Sequence, residues 1–104
     1  MVVILMLTTV PDVSDSLKLA SGALNARLAA CVSELGVIRS NFHWKAKIEI
    51  VSEIQLLFKT SVLRSLELER FILKNHPYET PEIIFWRATT STSYGKWLAK
   101  ETHS

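Results

Sequence analysis

Val37-Ile38-Arg39-Ser40-Asn41-Phe42-His43-Trp44, the polar Lys45-Ala46-Lys47, and then Ile48-Glu49-Ile50-Val51 form the stretch on which the fold turns. Ile38, Ser40, Phe42 and Trp44 alternate with Val37, Arg39, Asn41 and His43, the period of a strand. Past the turn, Ile48, Ile50, Ile54, Leu56 and Phe58 alternate with Lys47, Glu49, Glu53 and Lys59, broken by Val51, Ser52 and Leu57. Two alternating runs around a short polar turn predict a hairpin. Each arm exceeds the usual strand of about 5–6 residues, so part of it is expected to project beyond one domain's sheet. Gly36 marks a bulge or bend in the first arm.

On the N-terminal side, Val2 to Val10 is a continuous apolar run, as in a strand buried on both faces. Pro11-Asp12 ends it. Asp12, with Asp15 three residues on, can cap a helix. Leu17, Ala20, Leu24 and Leu28 recur at helical spacing, so residues 13–30 read as an amphipathic helix in which Gly22 costs about 1 kcal/mol against Ala. On the C-terminal side, residues 62–75 return to a helical pattern led by Val62, Leu66 and Leu73, with Thr60 or Ser61 as the cap. Asn75-His76-Pro77 stops that helix. Pro81 to Ala88 reads as a fourth strand, and Ser91-Thr92-Ser93 caps a short helix with Tyr94, Trp97 and Leu98. The order is β-α-β-β-α-β-α. Its first six elements predict an α+β, ferredoxin-like split βαβ sandwich with an antiparallel sheet, as one domain over residues 1–104. Two helices cover one face of such a sheet. The apolar residues on both sides of the hairpin predict that another subunit covers the other.

The composition is that of an ordinary globular chain, 48% apolar and 21% charged. The formal charge is +2 with lysines and arginines dispersed, which argues against a nucleic-acid partner. Val2 to Leu7 is too short for a membrane span and lacks a basic flank, so neither a span nor a signal peptide is expected. Cys31 is the only cysteine, which fits a reducing compartment and a cytoplasmic location. No Gly-rich phosphate loop, nucleophile elbow or HExxH motif is present, and no enzymatic activity is expected.

The densest chemistry is His76-Pro77-Tyr78-Glu79-Thr80-Pro81-Glu82: an imidazole, a phenol and two carboxylates on a stiffened connector. With the Cys31 thiol, His76, Glu79 and Glu82 form a candidate donor set for copper or another divalent cation. Each has an alternative role. Cys31 can be a small buried residue, and His76 can cap the last carbonyls of its helix. Glu79 and Glu82 can pair with Lys59 or Arg27. A lone thiol cannot fill a coordination sphere, so metal binding would need His76, a carboxylate or another subunit. Lys59, Tyr78 and Trp44 can line an inter-subunit cleft suited to an anionic or planar ligand, or can simply pack in the assembly. His43 and His103 read as surface residues.

The chain resembles the CutA family of divalent-cation-tolerance proteins. The resemblance is carried by Thr8-Thr9-Val10-Pro11-Asp12, Arg27-Leu28-Ala29-Ala30-Cys31-Val32, Trp44 with Lys47, and Lys59-Thr60. It continues through His76-Pro77-Tyr78-Glu79, Pro81-Glu82-Ile83, and Ser93-Tyr94 with Trp97-Leu98. It is collinear from about residue 5 to residue 98. Leu35-Gly36 stands where the family usually has Pro-Gly, Phe42 where it has Tyr, and Ala46 where it has Gly. The resemblance implies a tight homotrimer built through the hairpins, a link to copper and divalent-metal tolerance, and weak metal binding. The alternative is a trimeric signalling or scaffold protein like the nitrogen-regulatory PII proteins, holding a small anion or a protein partner between subunits.

Overall fold

The computed structural model describes residues 1–103; Ser104, the last residue of the predicted domain, lies outside them. Strand β1 (Val2–Val10) leads through helix α1 (Val13–Asn25) to the hairpin of β2 (Cys31–Trp44) and β3 (Lys47–Thr60). Helix α2 (Ser65–Asn75), strand β4 (Ile83–Thr89) and helix α3 (Thr92–Glu101) follow. The sheet order is β2-β3-β1-β4 and every neighbouring pair is antiparallel, the split βαβ arrangement.

The hairpin forms as its alternation predicts. Its turn is two residues rather than three, with Trp44 opposite Lys47 and with Lys45 and Ala46 at φ 51° and 63°. Both central residues at positive φ make the twist of this turn match that of the strands. The bulge falls at Leu35: Glu34 faces Leu56, and the next paired residue, Gly36 at φ 133°, faces Gln55. β1 reaches along β3 only from Ile54 to Thr60, so the outer half of the hairpin stands clear, and the molecule measures 45 × 24 × 21 Å.

α1 stops at Asn25, short of the predicted residue 30. Arg27 enters the left-handed region at φ 57°, its N–H bonds Leu24 O, and Leu28 N–H bonds Ala23 O. That pair of bonds is a Schellman closure, normally made by glycine. Arg64 completes the helix end, donating from Nη2 to Ala26 O at 3.1 Å and from Nε to Arg27 O at 3.3 Å. A single 3-10 turn, Val62–Arg64, precedes α2 where the sequence suggested continuous helix. β4 begins at Ile83, two residues after Pro81, which has no N–H to give a ladder.

The helix faces differ from expectation. α1 buries Ser16, Leu19 and Ala23, and leaves Leu17 63% exposed with Leu24 also outside. α2 buries Leu68 and Ile72 and leaves Leu66 and Leu73 outside. The core joins Leu19, Ala23, Leu68 and Ile72 to Met6 and Val10 of β1 and to Ile54, Leu56 and Phe58 of β3. Gly22 sits where α1 meets α2: a Cβ there would lie 2.5 Å from the ring of Phe71. Alternate residues point away from the helices, and there Leu5 and Leu7 face Trp86 and Ile84 of β4. No helix is long and apolar enough to cross a membrane among the described residues.

Candidate functional site

The connector 76–82 is anchored where β1 ends. His76 Nε2 lies 2.8 Å from Thr9 O, which can only accept, so Nε2 carries the proton. His76 Nδ1 then accepts from Tyr78 N–H at 3.1 Å. Thr8 Oγ1, 3.2 Å from Nε2, donates its own proton to Glu82 O at 2.7 Å. The imidazole therefore ties helix end, strand end and connector together in one tautomer. Desolvation depresses its pKa below the ordinary 6.5; the bond to Thr9 and the charges of Asp15 and Glu53 only partly oppose this.

Tyr78, so positioned, donates its hydroxyl to Glu53 Oε2 at 2.7 Å. Burial first, and then the bond to Glu53 and its charge, push the phenol well above its ordinary pKa, so it remains a donor. Glu53 is only 5% exposed. Nothing in the sequence separated it from the solvent-facing hairpin carboxylates; only the arrival of Tyr78 does. Phe42, Trp44 and Tyr78 together wall two adjoining grooves of about 350 and 570 Å3 beneath the hairpin. Asp12 caps α1, accepting from Asp15 N–H at 3.0 Å. Asp15 is raised above the usual carboxylate range, mainly by desolvation and then by Asp12.

The candidate metal donors do not converge within one chain. Cys31 pairs with Lys59, which pairs with Leu5, whereas His76 bonds at Thr9. From Leu5 to Thr9 at about 3.3 Å per residue is roughly 13 Å along the sheet, far beyond ligand reach. Cys31 is half-buried with its Sγ 3.7 Å from Lys59 Nζ, and that ammonium also donates to Ser33 Oγ at 3.1 Å. A neighbouring ammonium opposes a cation. Both nitrogens of His76 are already committed, Nε2 to Thr9 O and Nδ1 to the Tyr78 N–H, and neither bonds the last carbonyls of its helix, the alternative role open to it. Among the described residues no group of three or more His, Cys, Asp or Glu is placed to hold a metal ion. A divalent cation thus does not fit the donors of a single chain.

Other expected partners also differ. Arg27 bonds Glu101, with Nη1 to Oε2 at 3.3 Å, rather than a connector carboxylate. Glu79 and Glu82 are exposed. Within one chain Trp44 and Tyr78 share a groove, and Lys59 lies elsewhere on the sheet. His43 and His103 are on the surface as expected.

A family model, the CutA1 divalent ion tolerance protein, matches residues 4–101. The chain belongs to the CutA1 family. It is 36% identical over 96 residues to the divalent-cation tolerance protein CutA of Pectobacterium atrosepticum, covering 91% of this chain and 87% of that one. The crystal structure of CutA from Xylella fastidiosa superposes with a TM-score of 0.93 at 32% identity, covering 97% of this chain and 98% of the other. The structure of the periplasmic divalent cation tolerance protein CutA from Archaeoglobus fulgidus gives 0.93 at 25% identity, covering 97% and 99%. The CutA1 fold of this chain is the fold its element order predicts.

Proposed function

We propose that this CutA1 chain is a non-enzymatic homotrimer of divalent-cation tolerance, binding copper or another divalent cation weakly through donors that meet only between copies. The observation that carries this reading is the sheet face turned away from the core that α1 and α2 cover. There Trp86 is 44% and Ile84 51% exposed in one chain, beside Leu5, Leu7 and Leu57. A contiguous apolar face of this kind is a docking surface. Two long unpaired edges, β2 and β4, flank it, and closing copies into a ring would protect them. Cys31 lies on the same face, since it alternates with Val32 opposite the buried Phe58. Its thiol would meet another copy there, and Glu79 or Glu82 on the exposed connector would supply harder donors. The cytoplasm is the location we propose, on the strength of the lone cysteine.

Light scattering should give the mass of three chains at micromolar concentration, and a stable monomer would sink the assembly. Titration with Cu(II) and Zn(II) should give weak, saturable binding that Cys31→Ser reduces. Tight binding that ignores Cys31→Ser would contradict the donor assignment.

A further inference from the structure

The geometry points to a binding site for a protonated organic amine in the groove between the hairpin and the connector. Its walls are aromatic: Phe42, Trp44 and Tyr78. Its charges are all of one sign. Glu49 and Glu79 line one part, Glu53 and Glu82 the other, and no lysine or arginine lines either. The anionic ligand suggested by grouping Lys59 with Tyr78 and Trp44 finds no cation here, because Lys59 is engaged with Ser33 and Cys31.

Glu53 makes the site specific. It is more than nine-tenths buried, lines the groove, and receives one side-chain hydrogen bond among the described residues, from Tyr78 to Oε2. A carboxylate has room for more donors, and because no buried side-chain oxygen among the described residues lacks a partner, Oε1, which receives none, is open to the groove rather than sealed in the core. Oε1 is thus an acceptor facing a cavity large enough for a small molecule. An ammonium group would donate to it and lie against electron-rich ring faces. The Trp44 ring already accepts a cation at the hairpin tip, with Lys45 Nζ 5.7 Å from its centroid.

An amine fits better than a metal ion. The carboxylates are spread along the groove rather than gathered about a point. Dispersed acceptors between aromatic walls match an extended cation, such as a diamine, whose charges are several bonds apart. The groove shares Glu79 and Glu82 with the donors proposed for the divalent cation, but the amine site rests on Glu53 and the aromatic walls and does not use Cys31.

The test is an NMR titration of the assembled protein with putrescine, and separately with succinate. Putrescine should give a saturable shift of the Trp44 indole N–H while that of Trp97 stays still. Glu53→Gln keeps an oxygen for Tyr78 and removes the charge, and it should weaken binding about tenfold or more. Equal affinity in Glu53→Gln overturns the proposal. So does a Trp97 shift that tracks that of Trp44, which would mean diffuse surface association. Binding of succinate in preference to putrescine, a wild-type measurement that needs no variant, also overturns it. Absence of putrescine binding by a protein that is trimeric and binds Cu(II) would remove the amine site and leave the proposed function standing.

Discussion

His76→Ala should destabilise the protein by about 2–3 kcal/mol, and the loss should depend on pH. The substitution removes two hydrogen bonds, Nε2–H to Thr9 O and Tyr78 N–H to Nδ1. Each is worth about 1 kcal/mol net, with more lost where the abandoned group stays shielded from water. Tyr78 then loses the restraint that aims its hydroxyl at Glu53. The pH dependence follows from the depressed pKa. Between the folded value and the ordinary 6.5, the unfolded chain binds the proton and the folded chain does not, so stability falls as pH falls. The contribution is complete above about 6.5 and declines toward the folded pKa, below which it levels off. Protonation would also turn Nδ1 into a donor facing the Tyr78 N–H, and Asp15 and Glu53 would offset only part of that cost. Urea unfolding of wild type and variant at one fixed protomer concentration, from pH 8 to about pH 5, reads both effects. The gap between the two curves should be widest at high pH and narrow through the acid range. A variant within about 0.5 kcal/mol of wild type, or a gap independent of pH, would refute the clasp.

Gly22→Ala should destabilise by about 1–2 kcal/mol despite its gain in helix propensity, because the new methyl meets Phe71; thermal unfolding decides it. Arg64→Met should cost about 1–2 kcal/mol by stripping two carbonyls at the end of α1, seen as faster amide exchange at Arg27 and Leu28. Trp86→Asp should abolish assembly, since truncating a buried Trp alone costs about 3–5 kcal/mol and a buried carboxylate adds to that; a trimer that survives dilution would exclude this face as the interface.

The hairpin, the order of elements and the antiparallel sheet were legible in the chain because period and punctuation are local properties. Ile48, Ile50 and Ile54 alternate whatever surrounds them, and Pro11, Gly36 and Pro77 act on their own backbone. Which stripe of a helix goes inward is not local. α1 carries apolar residues on two stripes, and the sheet took Leu19 and Ala23 while Leu17 and Leu24 stayed outside. The end of α1 was misplaced for a related reason: Arg27 adopts a glycine-like conformation there, and the carbonyls it leaves at the helix end are bonded by Arg64, 37 residues on. The connector was recognisable as dense chemistry, yet its use was not. Thr9 O and Glu53 reach His76 and Tyr78 through β1 and β3, and that approach turned a candidate metal ligand into a neutral clasp. Register likewise set Cys31 beside Lys59 and some four residues along the sheet from His76. Residue types fix which bonds are possible; only the tertiary distances decide which of them are made.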